Sequence, residues 1–239
     1  VRGVTAARWT PRYRLLDLIR FRETIAMRSP LLLTALLLAS AAHAAPQPPI
    51  SDETILEGVQ LGEEVEGRVD GDLNGDGDPD TAFIIASPDS RDLYVVLSYR
   101  SEVDFGHQPG GQLKLPSDAF GPAGLTIKKG VLIIEDLSGG TTALSATYRY
   151  RADKVEPKMR LIGLDATVYS RTYAHDGNAM SWNLVTGDVE TKLLRKIGDG
   201  EDATYEDAFV TRFKRTSKPV YMNDTPDAEE QLVAFTKAK

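Results

Sequence analysis

Asp70-Gly71-Asp72-Leu73-Asn74-Gly75-Asp76-Gly77-Asp78-Pro79-Asp80, followed by Thr81-Ala82-Phe83-Ile84-Ile85-Ala86, is the stretch on which the reading of the chain turns. Five aspartates and one asparagine fall within its first eleven residues, with three glycines and a proline between them. Carboxylates so close repel one another unless a cation neutralises them. Asp72, Asn74 and Asp76 alternate, so a curled loop turns their oxygens inward, and Gly77 follows where a calcium loop makes its sharp turn. Asp78 and Asp80 continue the alternation, with Asp80 at the ninth loop position. Many flexible oxygen ligands favour Ca2+ over Mg2+. The expected metal ligands are therefore Asp72, Asn74, Asp76, Asp78 and Asp80. The plainer alternative is a solvated acidic turn of the Asn-Gly and Asp-Gly kind.

A helix–loop–helix calcium site would place a bidentate Glu at the twelfth position, and here that position is Phe83. Thr81 to Ala86 is instead β-branched and apolar and reads as a buried strand. The loop therefore joins two strands and staples them. The spelling Asp-Leu-Asn-Gly-Asp-Gly-Asp-Pro-Asp over residues 72–80 resembles the calcium loops of FG-GAP-type β-propeller repeats. That resemblance covers about a dozen residues and implies a β protein with a calcium staple.

Outward from the loop the pattern stays β. Asp92 to Tyr99 reads as a strand, and Leu125-Thr126-Ile127 and Val131 to Glu135 as a hairpin turning at Gly130. Leu144 to Arg151 alternates: Leu144, Ala146, Tyr148 and Tyr150 share one face, Ser145, Thr147, Arg149 and Arg151 the other. Lys158 to Leu164 returns beside it, Met180 to Leu193 forms a hairpin over Thr186-Gly187, and Ala208 to Phe213 closes the series. About ten short strands at regular spacing give an all-β, antiparallel meander domain, propeller-like, barrel or sandwich. One helix is expected, near the C-terminus: Thr225 as cap, Pro226 in the first turn, then Asp227 to Ala234, with Ala228, Leu232 and Phe235 facing the body.

The start of the chain has a different character. Residues 1–26 are arginine-rich and read as an upstream extension of an over-long gene. From Met27 a basic residue, an apolar run and Ala42-His43-Ala44 make the parts of a cleaved signal peptide, residues 27–44, too short in its apolar core to span a membrane. A Pro-rich linker, 45–53, then leads into a single β domain, 54–239. The expected location is the periplasm, with no membrane anchor. The first 44 residues hold seven arginines and two acids, so without them the balance moves from −7 to −12. Such a surface excludes nucleic acid and anionic membrane as partners and suits a cation or a basic protein. There is no cysteine, hence no disulfide.

Catalytic patterns are missing from the sequence. His107 and His175 sit in Gly-rich contexts that read as loops, without a nucleophile elbow or a second His at ligand spacing. Glu63, Glu64 and Glu66, or Glu135 with Asp136, contain neighbouring acids, but adjacent residues on a strand face opposite ways. No phosphate-binding glycine loop follows a strand. The chain therefore reads as a binding protein rather than an enzyme. Asp136 to Ala143 reads as a loop with small residues at its tip.

With its Asp-rich loop, its β body and hairpins such as Tyr148-Arg149-Tyr150, Leu161 to Asp165 and Asn183 to Gly187, the chain resembles the calcium-binding periplasmic immunity proteins. Those proteins protect bacteria from lysozyme-like effectors of type IV secretion and are similar to invertebrate-type lysozyme inhibitors. The resemblance implies a partner, a peptidoglycan hydrolase, whose cleft is plugged by a Ser-Gly-x-x-Tyr loop. Ser138-Gly139-Gly140-Thr141-Thr142 matches the Ser-Gly and has Thr142 where the pattern has Tyr; Tyr169 and Tyr173 are the alternative aromatic contacts. The competing reading is a solitary calcium-binding β module with a structural or adhesive role in the envelope.

Overall fold

The acidic loop connects two antiparallel strands, β1 (Glu64–Gly71) and β2 (Asp80–Ala86), which pair from Glu64 opposite Ala86 to Gly71 opposite Asp80. The computed structural model describes residues 46–237, so the expected upstream extension and signal peptide lie outside the described residues. β3 (Arg91–Arg100) and β4 (Phe105–Leu115) complete a four-stranded sheet in the order β1-β2-β3-β4. The next seven strands are β5 (Gly124–Lys128), β6 (Val131–Gly139), β7 (Thr142–Ala152), β8 (Met159–Ser170), β9 (Gly177–Asn183), β10 (Asp188–Ile197) and β11 (Thr204–Lys214). They form a second antiparallel sheet in consecutive order. The expected all-β antiparallel meander is thus present as two open sheets, neither closed into a barrel. Among the described residues no helix is long and apolar enough to cross a membrane.

Local chemistry accounts for most of these elements. In β7, Ala146, Tyr148 and Tyr150 are buried while Arg149 and Arg151 face out, as the alternation requires. Lys129 (φ 53°) and Gly130 (φ 70°) link β5 to β6, both left-handed, as a two-residue hairpin needs. The C-terminal helix α2 (Ala228–Lys237) buries Ala228, Leu232 and Phe235, the three residues expected to face the body. The Phe235 ring meets Trp182 edge-on at 5.3 Å and Phe213 at 5.6 Å, which seats α2 on the seven-stranded sheet. The cap differs from expectation. Asp227 Oδ1 accepts the Glu230 N–H at 2.8 Å, while the Thr225 hydroxyl is 2.7 Å from the hydroxyl of fully buried Tyr150. Burial of an unpaired Tyr150 hydroxyl would be costly, and Thr225 satisfies it.

Other differences have equally physical causes. The stretch expected as a linker, 45–53, runs into a second helix, α1 (Asp52–Leu56), capped by the Ser51 hydroxyl on Thr54 N–H. Upstream of it the buried Gln47 is tied to Asp78 and to the Tyr99 carbonyl. β4 was not expected, because Phe105-Gly106-His107-Gln108-Pro109-Gly110-Gly111 reads as loop; His107 is in this strand, opposite Ser98. The proline is tolerated because β4 is an edge strand with a register shift opposite Val95 and Val96. The glycines make room: a Cβ on Gly110 would lie 2.8 Å from Leu97 Cγ, and one on Gly111 2.8 Å from Met222 Cβ. Gly111→Ala is expected to cost about 1–3 kcal/mol by overpacking, read as a lower denaturant midpoint.

The two sheets share one core, with Leu93, Val95 and Leu97 of β3 and Leu132, Ile134, Tyr150 and Leu164 of the larger sheet in the same apolar cluster. At its edge is a buried ionic group. Arg91 of β3 donates from Nε and Nη2 to Glu66 of β1 at 2.6 and 2.7 Å, and its Nη2 is 3.0 Å from Asp136 Oδ1 of β6. Charge thus joins the sheets as well as apolar packing.

Candidate functional site

The acidic loop is closed by hydrogen bonds to its own backbone. Gly75 (φ 85°) and Gly77 (φ 87°) take left-handed conformations, which turn their N–H groups onto the Asp72 carboxylate at 2.6 and 3.1 Å. Asn74 Oδ1 accepts the Asp76 N–H at 2.9 Å, and Asp76 Oδ1 accepts the Asp78 N–H at 2.8 Å. Leu73, 3% exposed, plugs the loop into the core. These are successive Asx turns, the local habit of Asp and Asn that the sequence advertises.

The expected ligands do not all face one way. Asp78 is buried and turned to the Gln47 N–H at 2.8 Å and to Arg100 Nε at 3.0 Å. The Gln47 bond first, and then Arg100, hold its carboxyl below the usual range. Asp80, fully buried, accepts from Leu73 N–H, Asn74 N–H, Ser98 N–H and the Ser98 hydroxyl. Burial pushes its carboxyl up in spite of those bonds. Ser98 Oγ is 2.9 Å from Asp80 Oδ1 and 3.2 Å from Asp76 Oδ2, so two carboxylates face a hydroxyl that carries one proton. Asn74 also donates from Nδ2 to Asp76 Oδ2 at 3.1 Å.

Asp76, Asp80 and the Ser98 hydroxyl bring hard oxygens together, the chemistry that suits Ca2+, while Asn74 turns its Nδ2 toward Asp76 and the Ser98 carbonyl. Asp76 and Asp80 are the carboxylates that would hold it there; the Asp72 carboxylate is taken by the Gly75 and Gly77 N–H groups, Asn74 Oδ1 by the Asp76 N–H, and Asp78 by Gln47 and Arg100. Among the described residues no three His, Cys, Asp or Glu side chains form a ready metal cage. Ser98, Gln47 and Arg100 had no signal in the sequence, because each reaches the loop only through the fold.

The second candidate region is one end of the seven-stranded sheet. The expected loop at 136–143 is mostly strand: β6 runs to Gly139 and β7 starts at Thr142, leaving Gly140 and Thr141 as the connection. Ser138 is 3% exposed and faces inward, so it is not part of a projecting tip. Gly140, Thr141 and Thr142 are exposed. The register pairs Thr142 with Ser170 and Ala143 with Tyr169, and the Thr141 carbonyl accepts the Arg171 N–H at 2.8 Å. The two expected contact segments are therefore neighbours. Tyr169 is the penultimate residue of β8 and Tyr173 (φ 53°) lies in the following turn; their rings flank Tyr205 at 6.5 and 5.2 Å. The Tyr205 hydroxyl accepts the Ser170 N–H at 3.0 Å, and its single proton is shared between the His175 and Ser170 carbonyls, 2.8 and 3.1 Å away. His175 Nε2 is 2.9 Å from Thr142 Oγ1, and the Arg171 guanidinium lies 3.9 Å over the exposed Phe120 ring. Phe120, Arg171 and Tyr205 were not singled out from the sequence; aromatic and arginine residues beside the tyrosines were the available hint.

No family model, curated protein or solved structure matches this chain.

Proposed function

We propose that this chain is an exported, non-catalytic binding protein, its β body stapled by Ca2+ at 72–80. It acts as an inhibitor or immunity protein that occludes the active site of a lysozyme-like peptidoglycan hydrolase. The observation that carries the reading is the meeting of the exposed Gly140-Thr141 turn with the 169–175 turn at one sheet end, backed by the Tyr205 hydroxyl. A narrow turn held by rigid strands, flanked by Tyr, Arg and Phe, suits insertion into a cleft with little ordering cost. The acidic balance steers a basic hydrolase toward it and makes association faster at low salt.

Mixing the protein with basic lysozyme-like hydrolases and following wall lysis tests this. Inhibition is expected with at least one of them, and Thr141→Arg, at the exposed tip, should weaken it at least about tenfold with an unchanged melting temperature. Absence of both inhibition and complex across the set, or full inhibition by Thr141→Arg, would remove the reading. The envelope-module alternative would then stand in its place.

A further inference from the structure

A cleft of about 610 Å3 opens below the Gly140-Thr141 turn, between the end of β4, the first residues of β7 and the N-terminus of α2. Its size is that of a small-molecule site. Leu113, Leu115, Leu144 and Val168 give it apolar walls, and the exposed Asp89, Asp118, Asp227 and Glu229 stand around it against a single base, Lys114. None of those four carboxylates forms an ion pair among the described residues. Asp227 Oδ1 caps α2, which leaves Oδ2 for another donor.

A second observation is independent of the charge. Ser138 and Tyr148 line the same cleft at 3% and 5% exposure. Among the described residues neither hydroxyl has a hydrogen-bond partner, yet neither is among the fully occluded unpaired atoms. Each oxygen therefore keeps some access to solvent, and both residues line the cleft. Buried hydroxyls are ordinarily paired; among the described residues these two have no partner in the fold, which leaves them to water or to a polar group that enters the cleft. Tyr148 keeps its proton, since burial, and then the charges of Asp136 and Asp227, push its ionisation above the ordinary value.

We propose that this cleft binds an ammonium or guanidinium group on an apolar stem, supplied by a free alkyl diamine or by a lysine or arginine side chain of a partner. The hydroxyls of Ser138 and Tyr148 accept its N–H bonds, the carboxylates supply the counter-charge, and the leucine and valine walls take the stem. An anion would meet four carboxylates, and a neutral alcohol would leave them unbalanced. The inference needs no hydrolase and does not depend on the inhibitor reading.

Calorimetric titration of the purified protein with 1,4-diaminobutane and with N-acetyl-lysine methylamide, against 1-butanol, is the test. Saturable binding of an amine that weakens with added salt is expected, with butanol at least about tenfold weaker. Tyr148→Phe, which keeps the ring, and Ser138→Ala should each weaken amine binding, Tyr148→Phe by about tenfold or more, while melting curves report that both remain folded. Tighter binding of the diamine would indicate a free ligand, and tighter binding of the lysine amide a partner's side chain. The proposal is overturned if neither amine saturates, if butanol binds as well, or if both hydroxyl variants bind like the parent.

Discussion

Arg91→Ala is expected to lower the unfolding free energy by about 3–5 kcal/mol, the cost of stripping the counter-charge from buried carboxylates. The Arg91 side chain is 4% exposed, those of Glu66 and Asp136 10% and 2%. Arg91 also donates from Nη1 to the Pro116 carbonyl at 2.8 Å, and Glu66 Oε1 accepts the Ala123 N–H at 2.8 Å. One guanidinium therefore ties β1, β3, β6 and the chain before β5 together. Alanine would leave two carboxylates buried without it. Lysine cannot reproduce the two-pronged contact with Glu66 and should also destabilise. Combined apolar replacement of Arg91, Glu66 and Asp136 should recover much of the loss, because the desolvation cost disappears with the charges.

The same group sets a pH dependence. Burial raises the Glu66 carboxyl, but its bonds to Arg91 and Ala123 outweigh burial and bring it below the ordinary 4.5. Its stabilisation is present above that value and is lost as pH falls through the lower, folded-state value. Asp136 works in the opposite sense: burial, partly offset by Arg91, raises its carboxyl, so its ionisation opposes folding above the ordinary range. In Arg91→Ala both carboxyls should take up protons more readily. The penalty should therefore shrink between pH 7 and about pH 4 in urea titrations. A penalty under about 1 kcal/mol at pH 7, or one that is flat with pH, would show that the sheets are held without this group.

Calcium is expected to raise the melting temperature by about 5–10 °C at a hundredfold excess over its dissociation constant. Binding to the folded state alone adds about 2.7 kcal/mol there. For a domain of this size each kcal/mol is worth about 2–4 °C. Chelator should reverse the gain. The hydrogen bonds of the loop select the variant: Asp72→Ala would remove the acceptor for two glycine N–H groups and cost stability without any metal. Asp76→Asn keeps an oxygen for the Asp78 N–H while removing charge beside Ser98, so it should lose most of the calcium gain and little else. Melting curves that coincide with millimolar calcium and with chelator would end the metal reading.

Much of the fold could be read locally. Apolar alternation in Leu144 to Arg151, the Lys129-Gly130 turn and the apolar face of α2 are all dictated by neighbours a few residues apart, whereas the hairpin expected over Thr186-Gly187 turns over four residues, 184–187. β4 escaped because its glycines and proline follow the needs of packing on Leu97 and Met222, and those partners are invisible to a local pattern. Ser138 read as a loop residue for a similar reason, since Gly139 and Gly140 look like the middle of a turn and are its edge.

An antiparallel β class, an acidic loop of Asx turns between two strands, and an apolar-faced helix near the C-terminus are legible in the chain alone, because each follows from the spacing of side chains along one segment. It took the assembled fold to divide the strands into sheets of four and seven, to turn Asp78 to Arg100 while Asp76 and Asp80 share Ser98, and to bring Ser138 and Tyr148 to one cleft. Those outcomes depend on register between strands far apart in the chain, where the burial of many side chains at once selects the pairing.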